Sequence, residues 1–136
     1  MRVVRDAKID KLSRLPIFEG LSLEKLAEIS AAAEAVTIRR FTDITREGDT
    51  RDGLVYVIVH GMVQVKRGDR VLAYLQDGDV VGELAALDGG ARNATVTTVV
   101  DTELMLIDRR HLVPLLEDNP VVADRLDRVA DRRRVA

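Results

Sequence analysis

From Leu54 to Ile107 the chain breaks into short apolar runs with Gly and Asp standing in the gaps between them. A helix tolerates such interruptions poorly, because Gly costs about 1 kcal/mol per helical position and Asp prefers caps and turns. Strands joined by tight turns accommodate them. Leu54-Val55-Tyr56-Val57-Ile58-Val59 is a β-branched and aromatic run without a polar member, which predicts a strand buried on both faces. Met62 to Lys66 alternates, with Val63 and Val65 toward one side and Gln64 and Lys66 toward the other. His60-Gly61 and Arg67-Gly68-Asp69 are the next links, Val71 to Leu75 follows, and Asp77-Gly78-Asp79 precedes Val80-Val81. Thr95 to Val100 and Glu103 to Ile107 form a further pair. Short strands repeating at about ten-residue spacing predict an antiparallel barrel or sandwich.

The two ends have a helical period. Residues 1–34 carry Ser22 as a candidate N-cap, Glu24 in the first turn, and Leu23, Leu26, Ala27, Ser30 and Ala31 at i, i+3, i+4 spacing. Pro16 and Gly20 separate this helix from a more basic one before it. Near the other end, His111, Leu112, Leu115 and Leu116 form a short segment stopped by Asp118-Asn119-Pro120. Asn119 suits an N-cap and Pro120 the first helical position of a charged helix from Val121 to Arg134, with Val122, Leu126 and Val129 on one face. The expected fold is mainly β with flanking helices. It is an antiparallel, jelly-roll-like β-roll over 36–108, preceded by helices within 1–34 and followed by a C-terminal helix pair over 109–134, all in one domain of 136 residues.

Composition narrows the function classes. A 46% hydrophobic and 32% charged chain has the balance of a globular protein, able to hold a core without staples. It has no Cys, so a thiolate nucleophile and Cys-ligated metal are excluded. His60 and His111 stand far apart with no His-x-His pair, and no activated nucleophile is visible, so neither a metal site nor an enzyme is expected. Aromatic residues at 3% are too few for base-stacking platforms, and the net charge of −2 does not suit a polyanion binder. The absence of Cys suits a reducing cytoplasm, no apolar run reaches membrane-spanning length, and Met1 to Asp6 has no apolar core of signal-peptide length. Arg2, Arg5, Lys8, Lys11 and Arg14 recur every three residues. A solvated helix face is the expected account of this row, ahead of a membrane or nucleic-acid patch.

The segment from Val80 to Val96 differs from everything around it. Gly82 follows a strand and lets backbone approach a ligand closely, since it lacks a Cβ. Glu83-Leu84-Ala85-Ala86-Leu87 has room for one helical turn, whose first N–H groups favour an anion. Asp88-Gly89-Gly90 brings the chain back, and a tight turn accounts for both glycines. Arg92 then supplies a planar, permanently charged fork that matches phosphate oxygens. A Glu83 carboxylate beside an anion is repelled unless hydroxyl donors meet it, and a ribose presents one. Taken singly, Glu83 suits a helix first turn and Arg92 a solvated surface; together a phosphate clamp and a hydroxyl acceptor point to a nucleotide.

Gly82-Glu83-Leu84-Ala85, followed ten residues after the Gly by Arg92-Asn93-Ala94-Thr95-Val96, resembles the phosphate-binding cassette of cyclic nucleotide-binding domains. That family includes catabolite activator-type transcription factors, kinase regulatory subunits and cyclic nucleotide-gated channels. Leu15-Pro16-Ile17-Phe18, Leu21-Ser22, Glu47-Gly48-Asp49, Val57-Ile58-Val59-His60-Gly61 and Asp77-Gly78-Asp79 look like further motifs of the family, in order along nearly the whole chain. The resemblance implies that Arg92 pairs with the exocyclic phosphate oxygens and that Glu83 accepts the ribose 2′-hydroxyl. The backbone N–H groups of Gly82, Glu83, Leu84, Ala85 and Ala94 would surround phosphate and ribose. Val81 replaces an aromatic common in the family. Asn93 replaces the usual Ala, Ser or Thr at a position tied to cAMP-versus-cGMP preference, and its amide both donates and accepts, so either purine is compatible. In relatives the C-terminal helix caps the base, in some cases with an arginine, which makes Arg133 and Arg134 candidates.

The implied function is a regulatory sensor of a cyclic nucleotide, cAMP favoured over cGMP, that couples binding to movement of its C-terminal helix. Its partner would be a second copy or a separate effector, with no nucleic acid bound through this chain alone. Two alternatives stand beside it: the ligand-binding half of a catabolite activator-type transcription regulator whose DNA-binding part lies outside this chain, and a degenerate β-roll that binds a protein. A stand-alone sensor and one domain of a longer protein are equally compatible with the sequence.

Overall fold

The computed structural model describes residues 6–49, 53–82 and 91–135, the last five by backbone alone. Helix α1 (Ala7–Ser13) begins where the Asp6 carboxylate accepts the Ile9 N–H at 2.8 Å. A 3₁₀ turn (Pro16–Phe18) follows, then α2 (Leu23–Ala32), where the Ser22 hydroxyl accepts the Lys25 N–H at 3.2 Å. In the basic row, Lys11 and Arg14 are exposed as expected of a solvated face, while Lys8 is partly buried. The Lys8 ammonium donates to the Ser30 and Ala33 carbonyls at the C-terminal end of α2, where the helix dipole is negative. Lys11 pairs with Glu103 at 2.7 Å. These two cations fasten α1 to the rest of the fold; Arg2 and Arg5 lie outside the described residues.

Among the described residues eight strands follow: β1 (Ala33–Ile38), β2 (Asp43–Thr45), β3 (Leu54–His60), β4 (Met62–Arg67), β5 (Arg70–Gln76), β6 (Val80–Val81), β7 (Thr95–Thr98) and β8 (Thr102–Asp108). They form two four-stranded antiparallel sheets, ordered β1-β8-β3-β6 and β2-β7-β4-β5. The roll starts at Ala33, earlier than position 36. Ala33-Glu34-Ala35 has helix-forming residues, yet it pairs with Ile107, Leu106 and Met105 of β8; sheet partnership outweighs a propensity worth tenths of a kcal/mol per residue.

The uninterrupted apolar run of β3 has a two-sided cause. Val55 and Val57 face a core shared with the helices, while Tyr56 and Ile58 face the interior of the roll. On β8, Met105 and Ile107 likewise join the helical core and Leu104 the roll interior. Sheet β1-β8-β3-β6 is therefore the wall between two cores. On β4, Val63 is fully buried in the roll and Val65 packs against it, as the alternation predicts.

Two helices close the chain, α3 (Arg109–Asp118) and α4 (Pro120–Val135). Asp108 caps α3 by accepting the Arg110 N–H at 2.8 Å. Asn119 works on both sides of the break. Its carbonyl accepts the Ala123 N–H at 3.1 Å to start α4, and its buried side-chain amide donates to the Leu115 carbonyl at 2.7 Å to close α3. Val122, Leu126 and Ala130 are buried on α4; Val129, half-buried on the same face, lines a cleft of about 400 Å³ with Pro16, Ile17, Gly78 and Arg125. Arg125 Nη1 donates to the carbonyls of Ile17 at 3.1 Å and Glu19 at 2.8 Å, tying α4 to the 3₁₀ turn.

Candidate functional site

Strand β6 delivers Gly82 to the edge of the roll. Both its valines are buried, and Val81 pairs with Tyr56 of β3. Gly82 has φ +86°, a region that L-residues adopt only with strain. A Cβ there would also collide with Arg92 Nη1 and come within 3.1 Å of the Leu54 carbonyl. Conformation and crowding both demand glycine at this position.

Arg92 is 4% exposed, an unusual setting for a guanidinium. Its backbone is clamped first: its N–H donates to the Asp49 carbonyl at 2.9 Å and its carbonyl accepts the Gly48 N–H at 2.8 Å. The side chain then reaches back across the roll. Nη1 donates to the Gly82 carbonyl at 3.2 Å and Nη2 to the Leu54 carbonyl at 2.7 Å. The Tyr56 ring lies against the guanidinium, with Cζ 5.7 Å from the ring centroid. Gly82 and Arg92, paired in the sequence reading, thus touch.

The neighbouring segment is cross-linked to the β4–β5 turn. Asn93 is exposed and its carbonyl accepts from Arg67 Nε at 3.0 Å. Ala94 is buried and its carbonyl accepts the Thr45 hydroxyl at 3.2 Å. Glu47 accepts the Gly68 N–H at 2.8 Å, and its own N–H donates to Thr95 Oγ1 at 3.0 Å. Glu83, Leu84 and Ala85 lie outside the described residues, and so do the side chains of Arg133 and Arg134, whose backbone continues α4. Leu54, through its carbonyl, and Tyr56 are site residues that sequence reasoning missed. Their strand was legible, but no local pattern says which distant side chain a buried strand faces.

Below the site, Asp77 holds the turn that leads into β6. Its carboxylate accepts the Gly61 N–H at 2.8 Å and lies 3.1 Å from His60 Nδ1. The Gly61 bond first, then the His60 bond, hold its carboxyl below the ordinary range. Among the described residues no group of three or more His, Asp or Glu is placed to hold a metal ion.

A buried guanidinium beside a Cβ-free backbone can take an anion. A phosphate oxygen is a stronger partner for it than the neutral carbonyls of Gly82 and Leu54, because it carries a full opposite charge where a carbonyl offers only a dipole. Comparison with known proteins agrees with this chemistry. A family model described as "Cyclic nucleotide-binding domain" matches residues 35–119, a span that includes Gly82 and Arg92. The CRP-like cAMP-activated global transcriptional regulator of Mycobacterium tuberculosis is 29% identical over 127 residues, 90% of this chain and 56% of the relative. The structure of the Thermus thermophilus catabolite activator protein is similar with a TM-score of 0.77 and 30% identity, over 87% of this chain and 57% of that one. The N-terminal domain of a transcriptional regulator from Streptomyces coelicolor A3(2) is similar with a TM-score of 0.71 and 34% identity, over 91% of each chain. This chain spans 56% of the length of the curated relatives it first matches. With the family model matching residues 35–119, more than half of its length, the chain belongs to the cyclic nucleotide-binding domain family.

Proposed function

We propose that this domain binds cAMP, with cGMP as the competing ligand, and acts as a regulatory sensor in the cytoplasm. The observation that carries this reading is Arg92: 4% exposed, held by the Gly82 and Leu54 carbonyls, and inside the family-matched span. In this reading Arg92 takes the exocyclic phosphate oxygens. Glu83 accepts the ribose 2′-hydroxyl, and the backbone N–H groups of Gly82, Glu83, Leu84, Ala85 and Ala94 complete the cradle. Asn93 faces solvent at the position linked to purine choice, and Arg133 or Arg134 caps the base as α4 closes. Binding shifts the population of α4 positions, and a second copy or a separate effector reads the change.

Calorimetric titration of the purified chain with cAMP and with cGMP tests the reading. Wild type is expected to bind cAMP more tightly, and Arg92→Ala to weaken binding by about two to three orders of magnitude, since removing one side of a desolvated charge pair costs roughly 2–5 kcal/mol. A wild-type chain that binds neither nucleotide overturns it and leaves a protein-binding β-roll.

A second reading has its own support. The Mycobacterium tuberculosis relative extends well beyond the span of this chain and is named as a cAMP-activated transcriptional regulator. The domain would then be the ligand-binding half of a transcription regulator. The gene's reading frame downstream of Ala136 decides it: a following helix-turn-helix supports this reading and a stop codon removes it.

A further inference from the structure

Two of the groups that hold Arg92 come from one strand. β3 offers the Leu54 carbonyl to Nη2 at 2.7 Å, and two residues later it offers the ring of Tyr56, 5.7 Å from Cζ. The ring cannot easily turn away. Tyr56 is 6% exposed and belongs to the roll-interior cluster with Ile58, Val63, Val81, Val96 and Leu104. Its strand neighbours are Val81 of β6 and Leu106 of β8.

These contacts divide the work of orientation. The two carbonyls restrain the guanidinium within its own plane, at its Nη1 and Nη2 edges. In-plane bonds alone leave the group able to rock out of plane. An aromatic face carries negative potential and attracts a cation lying within about 6 Å, most strongly where water is excluded. A leucine is apolar and smaller, and it has no aromatic face to supply that potential.

We propose that Tyr56 is a positioning residue for the anion clamp: its ring holds the Arg92 guanidinium in the attitude that receives phosphate. The proposal rests on the nucleotide-binding reading for its functional consequence, though not for the contact itself. A clamp ordered before the ligand arrives loses less freedom on binding, which raises affinity without a new contact to the ligand.

The test uses the full chain with Tyr56→Phe and Tyr56→Leu, each alone and combined with Arg92→Ala. Affinity for cAMP is measured by calorimetry, and by NMR titration where binding is weak. Tyr56→Phe keeps the aromatic face and is expected to bind within about twofold of wild type, while Tyr56→Leu binds about ten- to thirtyfold more weakly. In the Arg92→Ala background Tyr56→Leu is expected to change the remaining affinity by less than about twofold, because the positioned group is gone. Equal losses for Tyr56→Leu in both backgrounds mean a packing role only and overturn the proposal. So does a loss in Tyr56→Phe matching that in Tyr56→Leu.

The side-chain resonances of Arg92 in the ligand-free chain give an independent reading. A ring-current shift of the Nε–H and Cζ signals is expected in wild type and Tyr56→Phe and lost in Tyr56→Leu; no such shift in wild type overturns the contact. If wild type fails to bind cAMP while the shift is present, the nucleotide-binding reading fails and the hold of Tyr56 on Arg92 stands.

Discussion

At the residue scale, one position carries two constraints at once. Gly82 needs φ +86°, and its missing Cβ is the space that Arg92 Nη1 occupies. A left-handed backbone alone costs an L-residue roughly 1–2 kcal/mol, and displacing a buried guanidinium adds to that. Gly82→Ala is therefore expected to lower the urea midpoint and to weaken cAMP binding at least about tenfold, on the scale of 1.4 kcal/mol per decade. Gly20 is the control. Its φ is +80° but nothing lies within 4 Å of a Cβ placed there, so Gly20→Ala should show the backbone cost with unchanged affinity. A Gly82→Ala chain that loses no more than Gly20→Ala in either measurement would show that crowding at Arg92 has no functional weight. The glycine itself was legible as a turn before a cassette. That Arg92 fills its vacant side follows only from how β3, β6 and the segment before β7 converge.

At the element scale, the helix ends are the best-determined features. Ser22 and Pro120 stand where they were expected, while Asn119, expected to cap α4, turns its side chain back to close α3. Asp108 caps α3 without having been singled out, because it doubles as the last residue of β8. The Arg110 N–H first, then the Arg110 side chain, hold its carboxyl below the ordinary range. The ionised form is thus favoured by the folded chain, so its stabilisation is present above the ordinary carboxylate pKa and is lost as pH falls through the lower, folded value. Asn caps a helix as well as Asp but does not titrate here. Asp108→Asn is expected to leave stability near neutral pH little changed and to flatten its decline below about pH 4. Urea melts from pH 7 to pH 2.5 check this, and parallel acid limbs in the two proteins would mean that other carboxylates, Asp77 among them, set the slope.

At the scale of the whole molecule, one sheet separates two cores, and α4 belongs to the helical one. Its buried face is narrow, limited to Val122, Leu126 and Ala130 among described side chains, and much of the rest is charged. An isolated helix of this length is marginal in water, so docking on the core and the Arg125 bonds to the 3₁₀ turn must hold it. Such an element opens at lower free energy than the sheet wall. If α4 is the moving part of a cAMP sensor, amide exchange over residues 121–134 is expected to slow when cAMP is added, and to quicken in ligand-free Arg125→Ala. Hydrogen exchange followed by mass spectrometry reads both. Slowing confined to the roll, with α4 unaffected, would leave a domain that captures nucleotide without passing the event to its C-terminal helix.

What the sequence by itself determined is what short-range order controls. Period two against period 3.6 separates the roll from its flanking helices, turn residues divide the strands, and caps place the helix ends. The Gly82 and Arg92 pattern belongs to this class too, since its spacing is local. Tertiary structure alone decided the rest. Ala33-Glu34-Ala35 became strand because β8 lay alongside; Lys8 left the solvated row because the C-terminal end of α2 came within reach; Leu54 and Tyr56 became the bed of Arg92 because antiparallel pairing brought β3 beneath it. Each outcome depends on a partner distant along the chain, and local periodicity carries no information about which distant surface a buried face will meet.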